Sequence, residues 1–313
     1  MSMSNRPLIV ITGPTATGKT ALGVELALRL DGEVVSADSM QIYRGMDVGT
    51  AKPAPEELRG VVHHMLSVAD PTERWSVARW ADMAADIVAD IRARGRTPLV
   101  VGGTGQYIDA LLGGTPFAAA PGDTGVRERL GREYDDLGGE AFREKLAAVD
   151  PERAAKLASA DKKRLVRAME VWTLTGETIT EHDRRTAALP PRFDSVRFAL
   201  TCRDRETLYE RIRLRVDRMV EDGLFDEVEA LLCAGVPSDA TAMQAIGYKE
   251  AAAALRGECT REEAAELIKR ASTRYAKRQL TWLRRDRDLR WYFREDWPDT
   301  QALAAEICRS LRQ

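Results

Sequence analysis

The run from Leu8 to Thr12 is short, apolar and partly β-branched, and it stops in a glycine-rich turn, which predicts a strand. Lys19 to Leu30 then has helical composition and ends at Asp31-Gly32. A second strand is expected from Glu33 to Ala37, ending at Asp38. Ser76 to Arg94 reads as an amphipathic helix, and Thr97 to Val101 as a third strand leading into Gly102-Gly103-Thr104-Gly105. Strand–helix alternation of this kind predicts an α/β core with a parallel sheet flanked by helices.

The texture changes from about Gly122 to Arg185, where long charged helical patterns replace strands and the exit is Leu189-Pro190-Pro191. An all-helical insertion is therefore expected at 121–194, between core segments 1–120 and 195–313. Strand character returns at Phe198 to Cys202, the chain is then mostly helical to about Arg285, and Asp288 to Phe293 is expected as a last edge strand. No internal repeat or low-complexity tract interrupts this order.

Composition changes the picture only slightly. Apolar residues make up 44% of 313 positions, enough to bury a core, and the net charge of -2 points to no particular partner. Cys202, Cys233, Cys259 and Cys308 lie far apart with no paired C-x-x-C spacing, which argues against a zinc ribbon or a disulfide framework. No leader and no apolar stretch of membrane-spanning length is visible, so a soluble, cytoplasmic protein is expected.

Chemistry enters at the first turn. The pattern G-x-x-x-x-G-K-[ST] is filled by Gly13, Pro14, Thr15, Ala16, Thr17, Gly18, Lys19 and Thr20. Glycines let such a loop curl so that backbone N–H groups face phosphate oxygens, and the following helix adds its positive end. Lys19 supplies a cation, and the Thr20 hydroxyl is positioned to bind Mg²⁺. Ligands of open parallel sheets bind beyond the carboxyl ends of the strands. Those ends carry Gly13, Asp38 and Gly102 to Thr104 here, so the three should lie close together. Asp38 serves equally as a turn cap or as a general base or metal ligand, and the glycines around Thr104 as a tight turn or as support for a reacting group. His63-His64 is a poor metal pair because neighbours on a strand face opposite ways, and Asp135-Asp136 reads as a solvated helix end.

Charge is unevenly spread. Between Lys269 and Arg290 there are nine Lys or Arg against two Asp, with Tyr275 and Trp282 interleaved. Further sets are Lys162, Lys163, Arg164 and Arg167, and Arg211, Arg213, Arg215 and Arg218. Most charge runs are solvated faces, but basic helices with aromatics also suit nucleic-acid backbones and stacked bases.

Several longer blocks are more specific than the phosphate loop. GPTATGKT, SADSMQIYRGMDVGTAKP at 36–53, HHML at 63–66, VGGTGQYIDALL at 101–112, RLVRAMEV at 164–171, RVDRMVEDGLFDEV at 215–228, QAIGYKE at 244–250 and RYAKRQLTWLRR at 274–285 together resemble the tRNA dimethylallyltransferases, in order and over nearly the whole chain. The resemblance implies a P-loop NTPase-like core and transfer of a dimethylallyl group from its pyrophosphate to N6 of the adenosine beside the anticodon. It implies Mg²⁺ and dimethylallyl pyrophosphate at the loop, Asp38 as base, Arg215 as an extra cation for the leaving group and Thr104 at the reacting end. It implies tRNA contacts at Asp38, Ser39, Met40 and Gln41, at Arg127, and at Lys163, Arg164, Leu165, Val166 and Arg167. Further contacts are implied at Gln244, Ala245, Ile246, Gly247, Tyr248 and Lys249, and at Lys277, Arg278, Gln279, Leu280, Thr281, Trp282, Leu283 and Arg284. The insertion becomes an arm over the anticodon stem-loop, and a monomer is expected. Ser67 and Gln106 depart from the family pattern, and Gln106 would alter the site wall.

Two other classes share some of these features. A P-loop kinase for a small metabolite would use the loop, the strand-end Asp and late arginines, but leaves K-R-Q-L-T-W-L-R and the insertion without a role. A nucleotide-gated RNA-binding protein would want a strand ending in a metal-binding Asp, whereas the strand at 97–101 ends in Gly.

Overall fold

The computed structural model describes residues 7–113, 125–187 and 189–311. The chain forms two compact units, one of Met1–Leu112 with Phe193–Gln313 and the other of Gly113–Arg192. The expected boundary at 120/121 and the start of the insertion near Gly122 lie outside the described residues.

The first unit begins with β1 (Leu8–Thr12), α1 (Lys19–Leu30), β2 (Gly32–Ser36), α2 (Pro55–Leu58), β3 (His63–His64), α3 (Val77–Ala93), β4 (Thr97–Val101) and α4 (Gly105–Gly113). In the second unit, α5 (Val126–Leu137), α6 (Gly139–Ala147), α7 (Pro151–Lys156), α8 (Lys162–Thr175) and α9 (Ile179–Ala187) follow. The first unit resumes with β5 (Ser195–Thr201), α10 (Arg205–Glu221), α11 (Leu224–Cys233), α12 (Tyr248–Leu255), α13 (Arg261–Leu283), β6 (Arg290–Phe293) and α14 (Thr300–Ser310).

The six strands form one parallel sheet in the order β3-β2-β4-β1-β5-β6. This is the expected α/β, P-loop NTPase-like core. Every residue of β1, β2 and β4 is buried, as a parallel sheet covered on both faces requires. One face packs Ile9, Ile11 and Val34 against Leu22 and Leu26 of α1 and Leu303 and Ile307 of α14. Trp80 of α3 is fully buried; it stacks on Tyr107 at 4.5 Å and donates its indole N–H to Ser36 O at 3.2 Å.

Strand ends moved where pairing overrode local character. β5 starts at Ser195, three residues before the expected Phe198, because Leu8, Ile9 and Val10 of β1 pair with Ser195, Val196 and Arg197. β6 is shorter than expected and starts at Arg290. His63-His64, read in the sequence only as strand neighbours facing opposite ways, forms β3, a two-residue edge paired with Val34 and Val35. In the second unit, Leu130, Phe142, Leu146, Leu165 and Met169 form a separate small core.

Candidate active site

The carboxyl ends of β1, β4 and β2 are neighbours in the sheet, so the loops that follow them meet. Gly13 turns the chain at φ 145° with no room for a side chain, since a Cβ there would lie 2.1 Å from Leu200 O. Ala16 at φ 65° and Gly18 at φ 90° complete the curl, and Gly18 begins α1 with no side-chain cap. An uncapped helix start leaves backbone N–H groups free to hold an anion. The Thr17 hydroxyl donates to Pro14 O at 2.9 Å and the Lys19 amine to the same oxygen at 2.6 Å, which stiffens the loop.

The two neighbouring loops interlock. Thr104 N donates to Ala37 O at 3.0 Å, and Ser39 N donates to Thr104 Oγ1 at 3.1 Å. Asp38 Oδ1 accepts from Met40 N at 2.9 Å and Gln41 N at 3.4 Å, so this oxygen does act as a turn cap. The carboxylate remains partly exposed and faces the first of two cavities.

That cavity measures about 380 Å³ and is lined by Thr15, Asp38, Met40, Arg215, Gln244 and Tyr275, among others. A second, of about 840 Å³, is lined by Gly18, Thr20, Lys52, Arg211, Arg215 and Arg218, among others. Arg215 borders both. It donates to Thr50 O at 3.1 Å and carries no ion pair among the described residues. Burial pulls the Lys19 amine down to about 7, with Arg215 lowering it further and Asp38 opposing. Burial likewise lowers Arg215, against the pull of Asp38. Two crowded cations facing one carboxylate make a site short of negative charge, which a pyrophosphate would supply.

Several residues at the site escaped sequence reasoning. Arg211, one helical turn before Arg215, donates to Ala16 O at 2.9 Å; it stood only as part of a basic set. Glu227 clamps the loop beyond Asp38, accepting from Asp47 N and Val48 N at 2.7 Å each, Gly49 N at 3.0 Å and the Tyr248 hydroxyl at 2.5 Å. Lys52 pins the same loop through Tyr43 O at 2.8 Å and Ser67 Oγ at 2.8 Å, which gives the atypical Ser67 a structural partner. Tyr275 lines the smaller cavity, and burial together with the nearby Asp38 charge pushes its phenol up to about 12. An aromatic in a basic run was the one available signal.

Other expected contacts sort by exposure. Lys277, Arg278, Thr281 and Arg284 project from α13 into solvent, with Lys277 over the Tyr209 ring and Arg278 over the Tyr275 ring. Gln279, Leu280 and Leu283 do not; all three are buried, and Trp282 packs on Gly105. As side-chain contacts to tRNA these buried positions are corrected: they point into the protein because helical period turns every third or fourth residue inward. Tyr248, Gly247 and Ala245 are buried too, while Gln244 and Lys249 are exposed and Ile246 is half-buried. In the second unit Lys163 and Arg164 are exposed, Leu165 and Val166 are core, and Arg127 and Arg167 both pair with Glu170 at 2.8 Å. Gln106 is exposed and lines neither cavity, so the expected change in the site wall is corrected. His63 meets Val61 O at 3.0 Å and His64 meets Glu33 at 2.7 Å. Asp135 is paired with Lys162.

The fold and the loops define a class first: a P-loop-like α/β fold with a carboxylate and a hydroxyl at neighbouring strand ends. The comparisons narrow it. The IPP transferase family model matches residues 41–286, and the isopentenyl transferase model matches residues 7–69. A tRNA dimethylallyltransferase of Desulforudis audaxviator is 46% identical over 98% of each chain, and one of Pelotomaculum thermopropionicum is 44% identical over 99% of this chain and 98% of its own. The solved full-length tRNA isopentenylpyrophosphate transferase of Bacillus halodurans superposes with a TM-score of 0.71 at 40% identity, covering 98% of this chain and 97% of its own. A eukaryotic dimethylallyltransferase acting on tRNA gives 0.81 at 27% identity, covering 98% of this chain and 79% of its own. The chain belongs to the tRNA dimethylallyltransferase family.

Proposed function

We propose that the protein transfers a dimethylallyl group from dimethylallyl pyrophosphate to N6 of the adenosine 3′-adjacent to the anticodon of tRNA, releasing pyrophosphate. The observation that carries this reading is Arg215, which borders both cavities, with the phosphate loop on one side and Asp38 on the other.

N6 of adenine is a weak nucleophile because its lone pair is delocalised into the ring. It attacks the terminal allylic carbon, the carbon–oxygen bond to pyrophosphate breaks, and the leaving group keeps the electron pair. The N6 proton passes to Asp38. Its Oδ1 is engaged by Met40 N and Gln41 N, so the other carboxylate oxygen takes the proton. Lys19, Arg215 and the loop N–H groups gain most when negative charge collects on the departing pyrophosphate, which is differential stabilisation of the transition state. Thr104 is held by Ser39 N with its hydroxyl at the reacting end.

The donors around Thr20 fit Mg²⁺: its hydroxyl lies on the wall of the larger cavity, which Asp47, Glu57 and Asp222 also line, and no cluster of three His, Cys, Asp or Glu that could hold a metal occurs among the described residues. Such a set suits an ion that keeps its waters and binds mainly through phosphate oxygens. When bound, the ion would neutralise charge on the pyrophosphate.

The anticodon stem-loop would meet Met40, Gln244 and Lys249 and the outer face of α13, where Lys277, Arg278 and Arg284 give a phosphate-binding stripe. In the second unit the exposed Lys163 and Arg164 suit the same backbone. The target base would leave its stack to enter the smaller cavity.

The deciding assay supplies dimethylallyl pyrophosphate, Mg²⁺ and unmodified tRNA, then weighs the digested nucleosides. Prenylated adenosine without nucleotide consumption is the expected result. ATP turnover without prenylation would sink the reading.

A further inference from the structure

Gln279 stands inside the run whose outer face is basic, yet its side chain serves the site from behind. The residue is 7% exposed, and each half of its amide is held by a backbone partner in a different loop. Oε1 accepts from Thr15 N of the phosphate loop at 3.0 Å, and Nε2 donates to Gly103 O of the β4 loop at 2.8 Å. The fit leaves no slack, since a Cβ on Gly103 would lie 2.4 Å from Gln279 Nε2. One turn earlier on the same face of α13, the Tyr275 hydroxyl lies close enough to the Thr104 and Gln279 side chains for both to act on its phenol.

This arrangement has an uncommon consequence for a phosphate loop. The Thr15 N–H points at α13 rather than into the anion cradle, so the loop spends one of its donors on being held. A buried amide that joins two backbone strands is a rigid spacer, because breaking either bond leaves a buried group without a partner. It fixes the separation of two loops, one gripping the leaving group and the other carrying the Thr104 hydroxyl.

We propose that Gln279 and Tyr275 form a brace between the phosphate loop and the Thr104 loop, acting as positioning residues that set the distance over which the allyl group is transferred. The proposal rests on the transfer reading above. The Gln279 side chain does not need to touch tRNA or pyrophosphate, and Tyr275, which lines the smaller cavity, keeps its ring there in Tyr275→Phe. Their effect is felt in the chemical step, because a shift of about 1 Å between reacting groups costs on the order of 100-fold in rate.

The test compares Tyr275→Phe, Gln279→Ala, Gln279→Asn and the double variant Tyr275→Phe/Gln279→Ala. Wild-type transfer is established first; its failure refutes the functional reading itself, separately from the brace. Single-turnover rates are measured with both substrates saturating, and dissociation constants for tRNA and for dimethylallyl pyrophosphate are measured separately. Tyr275→Phe keeps the ring and the packing, so its folding is secure, and unchanged tRNA affinity confirms folding of the others. The brace predicts single-turnover rates down about tenfold or more in Tyr275→Phe and about 100-fold in Gln279→Ala, with tRNA affinity within about threefold of wild type. The double variant should be no slower than about threefold below Gln279→Ala, since the two residues act as one unit. Loss of tRNA affinity with an intact single-turnover rate would make α13 a binding surface only and overturn the proposal. So would rate losses that multiply in the double variant, or a Tyr275→Phe enzyme as fast as wild type.

Discussion

Lys19 offers the most direct test of the electrostatics, because its amine sits at about 7 in the free protein, pulled down chiefly by burial and then by Arg215. A bound pyrophosphate reverses this balance by adding negative charge within reach of both cations. Binding therefore takes up a proton wherever free Lys19 is neutral. A group of pKa about 7 is about one-tenth protonated near pH 8, so binding there takes up about 0.9 proton, against about 0.1 near pH 6. If the amine stays charged throughout in the complex, affinity falls about 50-fold between pH 7 and pH 9. Calorimetry of Mg²⁺-dimethylallyl pyrophosphate binding, without tRNA, in two buffers of different ionisation enthalpy counts the protons. Lys19→Met provides the baseline for protons exchanged by the ligand itself. Equal uptake by wild type and Lys19→Met near pH 8 would refute the depressed amine. Folding has the opposite pH dependence: the unfolded lysine holds its proton to higher pH, so the ligand-free protein gains stability as pH rises from about 7 toward the ordinary lysine value.

The remaining expectations are simpler. Asp38→Asn keeps an oxygen for Met40 N and Gln41 N, so the turn survives, while transfer falls by ~10²–10⁴ and tRNA binding is retained; near-normal turnover would place the base elsewhere. Gly13→Ala forces a Cβ to 2.1 Å from Leu200 O at φ 145°, which should cost about 3 kcal/mol or more and lower Tm on the order of 10 °C; a Tm within about 1 °C of wild type would contradict the close approach. Replacing Lys277 and Arg278 together by Glu should weaken tRNA binding and reduce its salt slope by about 1–2, whereas unchanged binding and slope would remove the outer face of α13 from the tRNA surface.

Local pattern carried most of the core. β1, α1 and β4 fall where their apolar runs and flanking glycines put them, because the two strands are buried on both faces and α1 packs its apolar side on them. The meeting of Gly13, Asp38 and Thr104 followed from one rule about parallel sheets, with no knowledge of side-chain contacts. What stayed hidden was decided by distant pairing. Ser195 to Arg197 look like loop until β1 is set beside them, and His63-His64 is too short a run to be placed in the sheet until β2 offers an edge. Glu227 shows the same limit at the site: a Glu in the first turn of a helix reads as ordinary end chemistry, and only the fold brings the loop amides at 47–49 onto it.

Helix α13 shows why a motif assigned as a block has to be divided residue by residue. Lys277, Arg278, Thr281 and Arg284 lie outward, and Gln279, Leu280 and Leu283 lie inward, as a period of 3.6 demands. A ligand that contacts the helix selects only the outer set. The inner set answers to different constraints: Leu280 joins Cys202, Leu208, Ile212 and Ala276 in a small core, and Gln279 ties two active-site loops together. A polar Gln between Arg278 and Leu280 has the same side chain whether it faces water or two backbone strands. Sequence alone offers no means to choose, but energy does, because the amide of a Gln that is only 7% exposed is tolerated where each half finds a partner. With recognition on the outer face and positioning on the inner face, as proposed, substitutions in K-R-Q-L-T-W-L-R should separate into those that change tRNA affinity and those that change the rate of transfer.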